Sequence, residues 1–152
     1  MRKALILVLC LAGCGGEGEG PPPRPPVQTA TLTGLYESRG GAAPNQLCIV
    51  ERGGEARFGL VAWRGGGPGC SGAGTAVREG DRLRLDMAGE EACRLEARID
   101  GRALAFPAAA PPGCAYYCAP GASFAGLAFE KVGGSEADAL RARDLVGDAL
   151  CG

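Results

Sequence analysis

Arg82-Leu83-Arg84-Leu85-Asp86-Met87, followed after a short break by Cys93-Arg94-Leu95-Glu96-Ala97-Arg98-Ile99-Asp100-Gly101, decides the class of this fold. Leu83, Leu85 and Met87 fall on one side of an extended chain, and Arg82, Arg84 and Asp86 on the other. Cys93, Leu95, Ala97 and Ile99 repeat the pattern against Arg94, Glu96 and Arg98. Successive side chains of a strand point to opposite faces, so strict alternation marks a strand with one face buried. Asp100-Gly101 is a two-residue hairpin signal leading into a further strand over 102–106.

Working outward, Glu79-Gly80-Asp81 turns back into a strand over 73–78, and Arg52-Gly53-Gly54-Glu55 joins strands over 47–51 and 56–63. A first strand is expected over 32–36. A last one is expected over 123–132, where a parity slip near Gly126 suggests a bulge. The tail 135–150 predicts one helix, with Ser135 as N-cap and Glu136 and Asp138 in the first turn. Ala139, Ala142, Leu145, Val146, Ala149 and Leu150 would share an apolar arc of roughly 140°. The expected fold is all-β: a small antiparallel up-and-down sheet or barrel of about eight short strands, with one C-terminal helix.

In such a meander the turns alternate between two ends. Tight turns (52–55, 79–81, 100–101) fall at one end, and long connections (38–46, 64–72, 88–92, 107–122) at the other. Cys70, Cys114 and Cys118 lie in the long connections, Cys48 and Cys93 at strand ends beside them, and a returning helix would bring Cys151 there too. The expectation is three disulfides stitching one loop-rich end. Fifteen pairings satisfy six cysteines; Cys114 with Cys118 ranks first as a local pair.

The first fourteen residues carry a second message. Arg2 and Lys3 precede an unbroken apolar run over 4–12, an export signal too short to span a bilayer as a helix. Leu11-Ala12-Gly13-Cys14 resembles the lipobox of bacterial lipoproteins. The resemblance implies removal of 1–13, a diacylglyceryl thioether on Cys14 and acylation of its amine, a combination that anchors stably where one chain does not. Gly15 follows the cysteine, not the aspartate that retains such lipoproteins in the inner membrane. The implied address is therefore the outer membrane of a Gram-negative bacterium, with the domain facing the periplasm. An exported chain meets an oxidising compartment, so its cysteines should be paired.

The stretch 14–31, from the lipidated cysteine through Gly-Glu alternation and five prolines, reads as an extended linker with a reach on the order of 50 Å. The domain proper is 32–152. Removal of thirteen residues from 152 leaves 139, enough for one domain. With Arg2 and Lys3 taken from the 16 basic residues, the 17 acidic ones prevail, giving a net charge of about −3 and no footprint for nucleic acid. The chain has 27 Gly but only 4 Phe, 3 Tyr and 1 Trp, so its core is thin and needs supplementing by the disulfides.

No histidine occurs anywhere, which removes the commonest general base and metal ligand. Beyond the export stretch the sole lysine is Lys131, so a Ser–Lys catalytic pair would have to use it. Cys114-Ala-Tyr-Tyr-Cys118 has three intervening residues where redox motifs have two, and zinc would lack histidine partners, so a structural disulfide is the better reading. The glycine-rich stretch 65–74 lacks the Gly-Lys-Ser/Thr ending of a phosphate loop, and Pro68 removes an amide; it reads as a flexible loop. Glu90-Glu91 reads as solvated. No cofactor or metal is expected, and no enzyme.

Ser71-Gly72-Ala73, with the anchor, the size and the architecture class, resembles the membrane-bound lysozyme inhibitors, small disulfide-bearing β-barrel lipoproteins with a Ser-Gly loop that enters the lysozyme cleft. The chain departs from that family at Gly74-Thr75, where a basic residue and a tyrosine usually stand. Tyr116 and Tyr117 in the longest connection, and Trp63 at the same end, form the candidate binding patch. The competing reading has one tyrosine packing inward and the other incidental. The functional expectation is an anchored binding or structural module that meets the membrane through Cys14 and an envelope partner through its loop end.

Overall fold

The computed structural model describes residues 30–38, 43–65 and 67–152. The export stretch, Cys14 and the linker up to residue 29 lie outside the described residues, as does 39–42 of the first long connection. Eight strands run β1 (Gly34–Glu37), β2 (Gln46–Arg52), β3 (Glu55–Arg64), β4 (Gly67–Glu79), β5 (Arg82–Met87), β6 (Arg94–Asp100), β7 (Ala103–Ala105) and β8 (Ala128–Gly133). Each pairs antiparallel with the next, and β1 pairs with β8, so the sheet closes into a barrel. Closure removes the exposed strand edges that invite aggregation. The three tight hairpins form where expected, with Gly53, Gly54, Gly80 and Gly101 in the positive-φ conformations such turns require.

The alternation that defined β5 and β6 also defines the lumen. Leu83, Leu85, Met87, Leu95 and Ala97 point inward and join Leu47, Ile49, Phe58, Leu60, Leu104 and Phe129 in one core. The outer wall carries Arg82, Arg84, Asp86, Arg94, Glu96 and Arg98, linked by pairs such as Arg84–Asp86 at 3.1 Å and Arg94–Asp86 at 2.5 Å. Apolar inside and charged outside is the pattern of a barrel in water, the inverse of a lipid-facing one.

Three expectations need correction. The stretch 64–72 is no loop: β4 starts at Gly67, and Gly67 and residues 70–76 pair with β3 across a register irregularity between Ala62 and Arg64. Its glycines are required by close packing. A side chain at Gly69 would strike the Ala62 carbonyl, one at Gly72 the Met87 sulfur, and one at Gly74 the Asp86 carbonyl. Gly72 and Gly74 stand opposite Leu60 and Phe58, so absent side chains on β4 make room for large ones on β3.

The predicted helix over 135–150 is reduced to α1 (Glu136–Ala139). Ser135 caps it as expected, in a reciprocal capping box with Asp138. Past Ala139 the Arg141 and Ala142 amides reach only three residues back and the Arg143 amide turns to the Gln46 side-chain oxygen at 3.0 Å, so the helix ends there. Asp144, accepting from the Val146 and Asp148 amides at 2.9 Å each, and Gly147 at a φ of 94° then hold the tail in turns. Val146, assigned to the apolar arc, is 82% exposed. Only Ala139, Ala142 and Leu150 of that arc pack, and they do so on the outer wall against Leu35, Cys48 and Val50 in a second small core. At Gly59 a side chain would strike the Leu150 carbonyl.

The last strand begins at Ala128. Gly126, at a φ of 68°, belongs to a turn in which its amide donates to the Pro107 carbonyl, so the parity slip there is a turn and no bulge. The register irregularity of this part of the sheet lies between Leu35 and Tyr36, where β1 meets β8.

Candidate functional site

All six cysteines among the described residues are paired: Cys48–Cys151, Cys70–Cys118 and Cys93–Cys114. The local pair Cys114–Cys118 does not form. A 3-10 helix over Pro112–Tyr117 buries Cys114 toward β6, while Cys118 follows in extended conformation and bridges to Cys70 on β4. Two cystines therefore fasten the 107–127 connection across the barrel mouth. The third holds the tail to the outer wall at Cys48, three residues into β2 from the same end.

Under this lid the two tyrosines part company. Tyr117 packs on the core and over Gly72 and Gly89, and its hydroxyl donates to the Glu91 carbonyl at 2.7 Å. Tyr116 is 59% exposed and meets the Tyr117 ring edge-to-face at 5.2 Å. One ring thus seals the mouth and holds the other rigid in solvent. Trp63 stands on the outward face of β3, its amide donating to the Asn45 side-chain oxygen at 2.7 Å, with its side chain 37% exposed. It lies at the tyrosines' end, but among the described residues no ring contact joins it to them. Ser71-Gly72-Ala73 is not displayed as a loop: it sits in β4 opposite Val61, Leu60 and Gly59.

The opposite end holds a cluster that sequence reasoning missed. The segment 30–33, just before β1, is clasped by side chains with no strand partner. Glu51 accepts from the Leu32 and Thr33 amides at 2.9 and 3.1 Å and from the hydroxyls of Thr31 and Thr33. Lys131 donates to the Thr31 carbonyl at 2.7 Å, Arg78 to the Ala30 carbonyl at 2.9 Å, and the Tyr36 hydroxyl to the Leu32 carbonyl at 2.8 Å. These four side chains come from β2, β8, β4 and β1, so the clasp spans the hairpin end. Its only signal in the sequence was Lys131 as the lone lysine of the domain. Burial, reinforced by the Glu51 charge and opposed by Arg78, pushes the Tyr36 phenol up to about 12. Burial lowers the affinity of Lys131 for its proton, partly offset by Glu51.

Burial alone would raise the Glu51 pKa, but the hydrogen bonds from Thr31, Thr33 and Leu32 outweigh it and hold it below the ordinary 4.5. A depressed carboxyl pKa stabilises the fold above the unfolded value, and that contribution is lost as pH falls through the folded value. The clasp should therefore loosen as pH falls through that lowered value. The Leu32 and Thr33 amide resonances should shift together with a midpoint under 4.5. Glu51→Gln should remove that titration and cost roughly 1 kcal/mol, since the site is mostly exposed.

Among the described residues no three metal-ligating side chains converge. No family model, curated protein or solved structure matches this chain.

Proposed function

We propose that this chain is a lipid-anchored envelope protein of the outer membrane, facing the periplasm, and that it acts as a non-catalytic binding or structural module through its cystine-bound end. One observation supports this reading above the others: the chain enters the barrel at the hairpin end, through the clasped segment 30–33, whereas Tyr116 and Trp63 are exposed at the opposite end. A tether through Cys14 would then join the barrel at its hairpin end, leaving the aromatic end clear of the linker. Tyr116 is a rigid, amphipathic anchor whose partner ring is already ordered, which lowers the entropy cost of using it in an interface.

The test is capture of envelope partners by the anchored protein and by its Trp63→Ala/Tyr116→Ala/Tyr117→Phe variant, which keeps the Tyr117 ring over the mouth. Loss of the partner from the variant, with an unchanged melting temperature, supports the loop-end reading; a partner that survives all three changes contradicts it. A lysozyme-inhibition assay on the same pair tests the family that Ser71-Gly72-Ala73 resembles.

A further inference from the structure

Two charges at the lid end are left without an opposite. Glu90 and Glu91 stand in the exposed connection between β5 and β6, and among the described residues no hydrogen bond or ion pair reaches either carboxylate. The outer wall of those two strands behaves differently. There Arg82, Arg84, Arg94 and Arg98 are matched by Glu96, Glu79, Asp86 and Asp81. Arg94, the cation nearest to Glu91 along the chain, is thus committed to Asp86, with Glu96 and Glu79 adding to the negative charge around it.

The connection 88–92 lies against the 3-10 helix. A side chain at Gly113 would strike the Ala92 carbonyl, and one at Gly89 the Tyr117 hydroxyl. That hydroxyl donates to the Glu91 carbonyl at 2.7 Å, and the same ring holds the exposed Tyr116 edge-to-face. One tyrosine therefore fixes two unpaired acids and an exposed aromatic on a single short rim. Behind the rim the lid contributes no charge, since residues 103–127 contain no Asp, Glu, Lys or Arg.

We propose that this rim receives a basic segment of a protein partner, which lays an arginine on the Tyr116 ring and matches Glu90 and Glu91 with its charge. The inference rests on the loop-end reading given above and assigns that partner a chemistry. Charge complementarity selects the sign, because a partner presenting carboxylates or phosphates would set like charges against two unpaired acids. The exposed ring selects arginine over lysine. A planar guanidinium stacks on an aromatic face and still offers its edge to a carboxylate.

The probe is the capped tripeptide Arg-Trp-Arg, titrated into the full chain with its cystines intact and followed through the amide resonances. Its indole supplies contact with the uncharged lid, and its two guanidinium groups supply the charge. Saturable shifts are expected at Glu90, Glu91, Tyr116 and Tyr117, with a Kd of about 1–5 mM. Replacing both arginines by neutral citrulline should weaken binding about fivefold or more, and raising salt to about 0.5 M should narrow that difference. Glu90→Gln/Glu91→Gln should erase it, whereas Tyr116→Ala should weaken both peptides. Both acids are exposed and unpaired, so their variant should melt as the parent does. If the arginine preference survives Glu90→Gln/Glu91→Gln while Tyr116→Ala still weakens binding, the basic partner is overturned and the loop-end reading stands. Binding indifferent to Tyr116→Ala removes both readings. No saturation by about 20 mM also overturns the proposal.

Discussion

Complete reduction is expected to unfold this protein at 37 °C. The three cystines join residues 103, 48 and 21 positions apart. On the chain-entropy account, loops of these sizes remove about 3–5 kcal/mol each from the stability of the unfolded chain. The loops overlap, so the terms do not simply add. Yet a domain of this size holds only about 5–15 kcal/mol in all, and this one has few large side chains to spare. The lid is the vulnerable part: the 3-10 helix covers the mouth through Cys93–Cys114 and Cys70–Cys118, with few hydrogen bonds of its own. Circular dichroism melts with and without a phosphine reductant would show the transition vanish or fall below 37 °C on reduction. A shift of only a few degrees would mean that the apolar core carries the fold unaided. Replacing Cys48 and Cys151 together should be milder than complete reduction, at most about 5 kcal/mol for this longest loop, and should free the tail to proteolysis while the barrel persists.

The second large effect is expected at Gly74. Were the glycine-rich stretch a flexible loop, valine there would be harmless, and in a strand valine is intrinsically preferred to glycine. The structure reverses that expectation. Gly74 is buried between Phe58 of β3 and Met87 of β5, and a side chain would meet the Asp86 carbonyl and the Ala88 amide, which are backbone and cannot swing aside. Gly74→Val should cost at least about 1–3 kcal/mol, the range for overpacking, and should separate β4 from β5. Gly134→Ala, with nothing within 4 Å of the added carbon, should stay within about 0.5 kcal/mol of the parent. Urea denaturation of the two variants checks both. A neutral Gly74→Val would contradict the packing of β4.

The contrast between β5 and β4 shows where the sequence is legible. Leu83, Leu85 and Met87 announce their face because each side chain is itself the core. On β4 the same inward positions are Gly72 and Gly74, which have no side chain to alternate. Their strand is imposed by Leu60 and Phe58 across the ladder, and composition points instead to a loop. The tail fails for a related reason. Ala139 and Ala142 do pack, but the helix ends at Ala139, where the Arg143 amide finds a partner in Gln46 of β2, and Asp144 and Gly147 keep the rest of the tail in turns. Cystine pairing depends on which way the 3-10 helix rotates Cys114, a fact that no spacing encodes. Of the three residues named for a binding patch, Tyr116 and Trp63 are exposed at the lid end, whereas Tyr117 belongs to the seal. The clasp around segment 30–33 was illegible because its four side chains come from four strands far apart in the chain.

The barrel is sealed at one end by cystines, and the proposed lipid tether joins it from the other. Mass-spectrometric peptide mapping of the membrane-extracted, unreduced protein tests both most directly. The predicted result is an N-terminal peptide that begins at an acylated Cys14, together with the linked peptides Cys48–Cys151, Cys70–Cys118 and Cys93–Cys114 and no free thiol. A Cys114–Cys118 pair would contradict the sealed lid, and an unmodified Cys14 would contradict the tether.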